Sequence, residues 1–493
     1  MTIKQFIFVL IAFLIPLCQL FADPPIFKEI DDNNVAAIEL FLQTNDIDLK
    51  YGKDSLTLLT YAISKYNRKM VKFLLEAGAG PNVADSQQDT PLMYAAKTGH
   101  MKIIKLLMRK GAWLNYKNEK WLTAYDFAVR AHHPEASRYL KSRYERNLPP
   151  FRDGPYVSWK NDDRINAFYM VHDSAHNHSN KIKKQFKIEE LPFLMPGFAY
   201  DTISYSLNKT HTAGPSRYTG VSNLLIIGDI HGGYDSLILF LINNGVVDDQ
   251  LKWTFGMGHV VLLGDIFDRG DKVTESLWFI YQLEQQALES GGVVHFILGN
   301  HEVMILLNDH RFITDKYYYL CKKLQLSYGQ LFAKKTVLGN WLRSKNSIII
   351  IDDKLFVHAG ISSEIIDLDL TLEEMNDRVR YFLNYPERNR KYGLENREII
   401  MGMKGPFWYR GFIETEAYYP RFTENDLNAI LDHYSVSSVY IGHSNVDSVS
   451  ALYNNRVFML DVPFYNYGFS MQALLIEEEV KYLLSTSGFR KPF

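Results

Sequence analysis

The 493-residue chain contains very little cysteine, which limits how its fold can be stabilised. Only Cys18 and Cys321 are present. Cys18 lies in an N-terminal segment that we expect to be removed, so no intrachain disulfide remains possible in the mature chain. The fold must then be held by its hydrophobic core. We predict that Cys321 is a packed apolar residue rather than a catalytic thiol.

An excess of charge of either sign is also missing. Lys and Arg number 54 and Asp and Glu number 56, which gives a formal net charge of −2. The chain is 47% hydrophobic and 22% charged, values that are typical of a globular protein. Without a basic field, no nucleic-acid partner is expected. The one local basic run, Lys181 to Lys187, is short, and we predict that it forms a solvated face.

Long hydrophobic runs are absent except at the N-terminus. An apolar run from Phe6 to Leu17 follows Lys4 and precedes the more polar "QLFADPP". This layout predicts a secretory signal peptide over residues 1–22, with cleavage after Ala22. The run is short for a bilayer span of roughly 20 residues, so an uncleaved membrane anchor is the less favoured alternative. We expect an exported protein, periplasmic or secreted, with no stable membrane span after cleavage.

What the sequence does contain is internal repetition. The segments "TLLTYAI", "TPLMYAA" and "TAYDFAV" start at Thr57, Thr90 and Thr123, 33 residues apart. Each is followed by a second helical pattern, and two of these end in glycine, as in "IIKLLMRKG", which predicts pairs of helices. The period and the "TPLMYAA" signature resemble ankyrin repeats. The resemblance implies an α-helical array of three or four units over residues 30–145, whose concave face binds a protein partner.

A proline-rich segment, Glu145 to Pro155, separates the repeats from the rest of the chain. The alternating stretches "PYVSWK" and "RINAFYMVH" flank "NDD" and predict a β-hairpin. We therefore assign residues 146–220 to a linker with an accessory hairpin. From residue 221 to 493, strands alternate with helices, which predicts an α/β domain. Three histidines between these regions are predicted to lie in a solvated loop rather than to bind metal: His172, His176 and His178.

Five apolar strands of the α/β region end in polar side chains. They are found in "NLLIIGDIHGG", "HVVLLGDIFDRG", "VVHFILGNHE", "KLFVHAG" and "SVYIGHS". Sites in open α/β sheets form at the carboxyl ends of strands, so these side chains should meet in one pocket rich in metal ligands. The polar residues at the strand ends are Asp229, His231, Asp265, Asp268, Arg269, Asn300, His301, Glu302, His358 and His443.

The same motifs, in this order, resemble those of the calcineurin-like metallophosphoesterases. The "DRG" and "GNHE" forms resemble the phosphoprotein phosphatase branch, and "GPFWYRG" (Gly405 to Gly411) is most similar to the Shewanella-like phosphatases. The resemblance covers Asp153 to the C-terminus and implies two packed mixed β-sheets flanked by helices, in a domain assigned to residues 221–493. Phe267, where valine is common, and "GHS" without a following aromatic residue are mild departures.

The resemblance also implies a metal centre. Hydrolysis of a phosphomonoester needs a nucleophile at neutral pH and neutralised phosphate oxygens, and two metal ions roughly 3.5–4 Å apart supply both. Asp265 would be the anion shared by the two ions. Mixed oxygen and nitrogen ligands favour Mn, Fe or Zn over Ca, and we expect two divalent transition-metal ions, with Mn first among them. The implied ligands are Asp229, His231, Asp265, Asn300, His358 and His443.

The remaining polar residues have roles in proton transfer and phosphate binding under the same resemblance. His301 would be the general acid, and Asp268 would orient it and hold it cationic. Arg269 and Arg410 would grip phosphate oxygens through bidentate hydrogen bonds.

The sequence therefore predicts a metal-dependent phosphatase that acts on a phosphorylated protein or peptide, with ankyrin repeats that recruit a substrate or partner. Phosphotyrosine and phosphoserine or phosphothreonine both stay open as substrates, with phosphotyrosine favoured. One alternative is a small-molecule phosphatase, such as a dinucleoside polyphosphate hydrolase. Another is an ankyrin binding protein with a vestigial phosphatase domain, against which the complete ligand set argues.

Overall fold

The computed structural model describes residues 25–493 with short gaps. These are residues 53, 115, 117, 119, 121, 147–148, 162–163, 175–177, 188–194, 197–203, 206, 209, 387–390, 414–421 and 465–469. The chain divides into two compact units, Met1–Leu148 and Pro149–Phe493. The signal-peptide prediction over residues 1–22 lies outside the described residues. Among the helices that are described, none has the length and apolar character needed to cross a membrane.

The first unit consists of paired helices. Its described helices follow one another as four pairs: Pro25–Asp31 with Val35–Leu42, Leu58–Ser64 with Arg68–Glu76, Pro91–Thr98 with Met101–Arg109, and Ala124–Arg130 with Pro134–Arg146. The first pair begins at Pro25, ahead of the start predicted at residue 30. Its helix is part of the array because Phe27 and Ile30 are buried in the core that the repeats share.

The repeated threonines explain where the first helix of each later pair begins. Thr57, Thr90 and Thr123 are N-caps, and each hydroxyl accepts a hydrogen bond from the backbone N–H three residues later. Such a cap satisfies a donor that the helix itself leaves open. Five residues after each threonine stands a completely buried alanine: Ala62, Ala95 and Ala128. The 33-residue signature therefore encodes one cap and one core position per repeat.

The second unit is built on two six-stranded mixed sheets. One sheet has the order β13-β14-β12-β11-β10-β6 and the other has the order β17-β16-β15-β7-β8-β9. A separate three-stranded sheet has the order β1-β2-β3, and β4 pairs with β5. The strands are β1 Phe151–Asn161, β2 Arg164–Asp173, β3 His178–Lys187, β4 Met195–Pro196, β5 Ser204–Tyr205, β6 Arg217–Tyr218, β7 Asn223–Ile227, β8 His259–Leu262, β9 Val293–Phe296, β10 Ile348–Ile351, β11 Lys354–Val357, β12 Ser438–Ile441, β13 Ser450–Leu452, β14 Val457–Met459, β15 Gln472–Glu477, β16 Val480–Ser485 and β17 Arg490–Pro492.

The two large sheets pack face to face, and helices cover their outer faces. In β7, Leu224 and Ile226 lie in the core between the sheets, together with Phe356 of the other sheet. The alternate residues Leu225 and Ile227 lie in the core shared with the helices. Burial on both faces explains why these strands read as continuous apolar runs. The described helices of this unit are Tyr234–Asn243, Val273–Glu289, Asn300–Leu306, Asp315–Leu324, the 3₁₀ helix Tyr328–Phe332, Val337–Leu342, Ser363–Ile366, Leu372–Asn384, Leu394–Met401 and Glu424–Tyr434. The predicted fold class is confirmed.

The accessory sheet contains the predicted hairpin and one strand more. β1 pairs antiparallel with β2, and β2 pairs antiparallel with β3. β3 carries the lysine-rich run Lys181–Lys187, whose side chains are exposed except for the half-buried Phe186. A strand that exposes nearly every side chain has no apolar alternation, so the sequence pattern did not reveal it. The run is the solvated face that the sequence predicts.

The prediction of a solvated loop is wrong for one of the three histidines. His172 belongs to β2, is 2% exposed, and its Nδ1 lies 3.0 Å from the Ser179 hydroxyl of β3. It is buried because the chain turns back after Asp173 and covers it with β3 and the ring of Tyr319. His178 is exposed at the start of β3, and His176 lies outside the described residues.

Asp153 attaches the accessory sheet to the larger fold. Its fully buried carboxylate accepts hydrogen bonds from Tyr156 (2.5 Å) and Thr274 (2.9 Å) and forms an ion pair with Lys316. The Lys316 ammonium also donates to the backbone carbonyl of Asp271. This ion pair therefore joins β1 to the loop that contains the "DRG" motif.

The single internal cysteine is part of the core. Cys321 lies in the helix Asp315–Leu324 and is 9% exposed. Burial raises the pKa of its thiol to about 12, so the nucleophilic thiolate is scarce at neutral pH. This agrees with the predicted packing role and offers nothing to a catalytic one.

Candidate active site

The site forms where five strands end. β7, β8 and β9 are parallel neighbours in one sheet, and β11 and β12 are parallel neighbours in the other. Parallel strands deliver their carboxyl ends to the same edge. The residues that follow them meet there, as the motif positions predicted.

The loops can meet because two glycines face each other. A Cβ on Gly264 would lie 2.5 Å from the backbone nitrogen of Gly299, and a Cβ on Gly299 would lie 2.2 Å from Asp265 Oδ1. Gly264 also has a φ of +99°, which favours glycine. Gly264 of "GDIFDRG" and Gly299 of "GNHE" are therefore required by the close packing between the β8 and β9 loops.

Five of the site residues hold a backbone conformation that side chains disfavour. Such left-handed residues cost of order 1 kcal/mol or more each, and they persist only where the surroundings fix them. Their φ angles are +47° for His231, +53° for Asp265, +67° for Asp268, +62° for Arg269 and +62° for His443. The concentration of strain at this edge supports a functional site.

Glu302 is one of the groups that fix this geometry. Its fully buried carboxylate accepts hydrogen bonds from the backbone nitrogens of Asp265 (2.8 Å), Ile266 (2.7 Å) and Gly299 (2.7 Å). It therefore ties the β8 loop to the start of the helix after β9. Glu302 is the last residue of the "GNHE" motif, but the sequence analysis predicted no role for it. The available signal was a glutamate at the third position of a helix, where it can reach back to the cap.

Asp265 lies at the centre of two groups of possible metal ligands. His231, Asp265 and His301 form one group, and Asp265, His358 and His443 form the other; within each, the ligand atoms lie within 4.8 Å of one another. Asp265 Oδ2 is 3.7 Å from His231 Nε2 and 3.4 Å from His358 Nε2. The structure thus places Asp265 between the two groups, where a shared ligand would have to be.

Asp229 and Asn300 complete the predicted set. Asp229 Oδ2 lies 3.7 Å from His231 Nε2, and Asp229 Oδ1 accepts a hydrogen bond from the backbone nitrogen of His443 at 3.1 Å. Asn300 Oδ1 is 2.8 Å from His358 Nε2. All six residues that the sequence predicted as ligands are therefore brought together and buried.

Backbone carbonyls orient two of the imidazoles. His231 Nδ1 lies 2.8 Å from the carbonyl oxygen of Phe267, and His358 Nδ1 lies 2.7 Å from that of Leu263. Each ring therefore donates from Nδ1 and turns Nε2 toward Asp265. This is the support that metal-binding histidines usually have.

The charges of the site favour cation binding. Burial, followed by the nearby Arg269, holds the pKa of His231 well below its usual range, and burial with Arg410 does the same for His443. Both rings are then neutral, which is the form that binds metal. Burial opposes the charged form of His358, but Asp265 outweighs it and raises the pKa of His358 to about 10. A cation bound there must displace that proton.

Two carboxyl groups of the site, Asp229 and Asp461, have raised pKa values. Burial, and then the neighbouring Asp461 and Asp265, raise the pKa of Asp229 well above its usual range. Burial likewise raises the pKa of Asp461 to about 6. Asp461 is a second residue that sequence reasoning missed, because "FMLDVP" carries no motif that singles it out.

These residues fit a pair of divalent cations. Buried charge is costly unless it is paired or coordinated, and here carboxylates and imidazoles are concentrated around one shared aspartate. The buried Nε2 of His443 has no hydrogen-bond partner among the described residues. The mixture of carboxylate, amide and imidazole ligands suits a first-row transition metal.

His301 and Asp268 form the predicted pair beside the residues that are predicted to bind metal. His301 Nδ1 lies 2.5 Å from Asp268 Oδ2, and both side chains are buried. The other ring nitrogen, Nε2, is 3.8 Å from Asp265 Oδ2. The ring of Phe312 lies 5.3 Å from the His301 ring, centroid to centroid.

The two arginines lie near opposite ligand groups. Arg269 helps to lower the pKa of His231, and Arg410 helps to lower the pKa of His443. The loop that carries Arg410 is attached to the site, because the Ala359 backbone nitrogen donates to the Pro406 carbonyl at 2.9 Å. Trp408 of the same loop packs edge-on against His443 with ring centroids 5.9 Å apart.

Comparison with known proteins agrees with this geometry. The sequence model of the calcineurin-like phosphoesterases matches residues 222–447, and that of ankyrin repeats (three copies) matches residues 77–148. Shewanella-like protein phosphatase 2 of Arabidopsis thaliana is 24% identical over 292 residues, which are 50% of this chain and 72% of that protein. Shewanella-like protein phosphatase 1 of Plasmodium berghei is 24% identical over 302 residues, 57% of this chain and 80% of that protein.

A solved structure covers a larger share of the chain. The crystal structure of a cold-active protein-tyrosine phosphatase from a psychrophilic Shewanella species is 34% identical, with a TM-score of 0.61. The match spans 69% of this chain and 99% of that one. The chain therefore belongs to the calcineurin-like metallophosphoesterases, has Shewanella-like phosphatases among its relatives, and carries ankyrin repeats ahead of its phosphoesterase region.

Proposed function

We propose that this protein is a dinuclear metal-dependent protein phosphatase. The observation that carries the proposal is Asp265, which belongs to two groups of buried possible ligands; one of these groups includes His301, whose Nδ1 is held by Asp268. A carboxylate shared in this way suits a pair of cations, and the adjacent imidazole suits proton transfer to a leaving oxygen. The names of the relatives support a phosphatase that acts on proteins.

Six residues would hold the two divalent cations. Asp229, His231 and Asp265 would bind one, and Asp265, Asn300, His358 and His443 would bind the other. When bound, the cations supply Lewis acidity toward the phosphate and toward the attacking water. We expect Mn as the metal, with Fe and Zn as alternatives.

The chain's own residues supply the proton and the phosphate contacts. Asp268 holds the His301 ring by its Nδ1, so that Nε2 can protonate the leaving oxygen as the ester bond breaks. Arg269 and Arg410 neutralise the phosphate oxygens from the two sides of the ligand cluster, and their planar guanidinium groups fix its orientation.

Phosphotyrosine is the substrate side chain that we favour. One relative is named a protein-tyrosine phosphatase. In this chain the half-buried rings of Phe312 and Trp408 lie next to His301 and His443, where they offer apolar surface to an aryl leaving group. A seryl phosphate has no ring to use that surface.

The repeat unit is proposed to recruit a protein substrate or partner. Three of its large apolar side chains are unusually exposed: Leu40 at 66%, Tyr66 at 59% and Trp113 at 56%. They belong to three successive repeats, at different positions of the helix pair, and each offers apolar surface that a partner could cover. Export to the periplasm or the medium remains part of the proposal through the signal-peptide prediction.

A phosphopeptide panel tests the function directly. The purified chain, supplied with Mn, is assayed on matched phosphotyrosine, phosphoserine and phosphothreonine peptides and on diadenosine tetraphosphate. We expect the highest kcat/KM on phosphotyrosine peptides, and no turnover of any substrate by Asp265→Asn. Preferential turnover of the dinucleotide would replace the protein phosphatase assignment with the small-molecule alternative.

A further inference from the structure

Asp461 is a buried acid at the edge of the active site that the six ligands do not include. It follows β14 closely, and its carbonyl accepts a hydrogen bond from the Val446 nitrogen at 2.9 Å. Its backbone is pressed against the β7 loop, since a Cβ on Gly228 would lie 2.1 Å from the Leu460 oxygen and 3.1 Å from the Asp461 nitrogen. The residue is therefore fixed beside Asp229, which is next in the chain after Gly228.

The Asp461 carboxylate has almost no hydrogen-bond partners in the core. It is 1% exposed, and apart from the neighbouring Asp229 carboxyl group neither Oδ1 nor Oδ2 has a hydrogen-bond partner in the described part of the chain. Buried carboxylates are costly to keep charged unless something pairs with them. A neutral residue of the same size would fill the space without that cost.

The neighbours of this carboxylate are the metal ligands themselves. Its strongest electrostatic interactions are attractive with Arg269 and His358 and repulsive with Asp265, and it interacts directly with the Asp229 side chain. Three buried carboxylates therefore lie together on the Asp229 side of the cluster. Arg269 and His358 compensate this negative charge in part, and a bound divalent cation would compensate more of it.

We propose that Asp461 is a further anionic residue of the metal centre, whose carboxylate strengthens the binding of a divalent cation on the Asp229 side. The inference rests on the proposed dinuclear centre and adds a residue to it. We expect the negative charge of Asp461 to destabilise the metal-free protein and to stabilise the metal-loaded protein.

The test uses Asp461→Asn, which keeps the shape and removes the charge. Mn affinity is measured by competition with a chelator of known affinity, and thermal midpoints are measured with and without Mn. We expect Mn to bind at least tenfold more weakly at one of the two sites. The midpoint of the metal-free protein should rise or stay unchanged, and the increase that Mn produces should shrink. Asp461→Ser, which is smaller and also neutral, gives the same test if the amide fits poorly.

Asp153→Asn provides the matched control. Asp153 is also a fully buried aspartate of the second unit, but it has donors in Tyr156 and Thr274 and a partner in Lys316. Its replacement should lower the midpoint with and without Mn and leave Mn affinity unchanged.

Two different failures can be told apart. If the wild-type chain binds Mn but the neutral Asp461 variants bind it equally tightly, or if they lose metal-free stability as Asp153→Asn does, the inference about Asp461 is wrong. If the wild-type chain itself binds no divalent metal, the proposed function is overturned and the inference with it.

Discussion

At the scale of single residues, His301 depends on its neighbours for its role. Its Nδ1 is held by Asp268 at 2.5 Å, while its Nε2 lies 3.8 Å from Asp265. The second distance also puts His301 within one of the two possible metal-binding groups. The geometry therefore raises a definite question, whether this ring donates a proton or holds a metal.

Replacement of His301 by alanine answers it. We expect His301→Ala to retain its metal. Its kcat should fall about 10²–10⁴-fold, which is the usual contribution of a general acid. The loss should be larger for phenyl phosphate than for p-nitrophenyl phosphate, because the poorer leaving group depends more on the proton. Metal content and kcat on both esters are the measurements. A variant that loses metal would make His301 a ligand instead.

Arg410 is the second residue whose role can be tested alone. Arg410→Lys keeps the charge but removes the planar fork, so we expect KM for phosphate esters to rise or kcat/KM to fall, with metal content unchanged. Arg410→Ala should be worse than the lysine variant, because it also removes the charge. Wild-type kinetics for both variants would exclude Arg410 from substrate binding.

At the scale of elements, the active site is held by the contact between the β8 loop and the helix Asn300–Leu306. Glu302 makes that contact with its carboxylate, which is saturated by backbone N–H donors. In Glu302→Gln an NH₂ group replaces one carboxylate oxygen, and this group cannot accept hydrogen bonds from the backbone N–H donors. Leaving buried N–H groups unsatisfied costs about 1–3 kcal/mol. We therefore expect lower stability to urea, together with weaker metal retention.

The control for this variant is Glu395→Gln on an exposed helix of the same unit, which should change neither property. If Glu302→Gln unfolds like wild type and keeps its metal, the loops do not depend on Glu302.

Sequence alone could predict the strand ends but not everything that surrounds them. Asp229, Asp265 and Asn300 stand directly after glycines that end apolar runs, so chain order and parallel pairing suffice to bring them together. Glu302 acts on backbone groups, and its one signal in the sequence is its place at the third position of a helix. Asp461 stands in an ordinary context and leaves no pattern. The strand β3 was missed for a related reason, since an exposed lysine-rich strand shows no alternation of apolar and polar residues.

At the scale of the whole molecule, the two units divide the chemistry between them. Every residue proposed to bind metal or phosphate lies in the second unit, Pro149–Phe493. The repeat unit contributes exposed apolar side chains, which we propose form a binding surface. Recruitment through such a surface raises the effective concentration of a substrate without changing the chemistry at the active site.

A truncated protein that begins at Pro149 tests this division. It should hydrolyse p-nitrophenyl phosphate at nearly the full-length rate, because the reagent needs no recruitment, and it should lose kcat/KM on the natural protein substrate. The comparison requires a soluble, metal-loaded truncation. An equal loss on both substrates would show that the repeats support folding or activity rather than recruitment.

The proposed phosphatase activity requires two cations that share Asp265 as a ligand. Metal analysis of the purified wild-type chain, side by side with Asp265→Asn and with p-nitrophenyl phosphatase activity measured on the same samples, tests it most directly. We expect close to two transition-metal ions per wild-type chain, loss of activity on chelation with recovery on adding Mn, and an inactive Asp265→Asn that retains fewer ions. A wild-type chain that is active without metal, or an Asp265→Asn variant that keeps both ions and full activity, would contradict it.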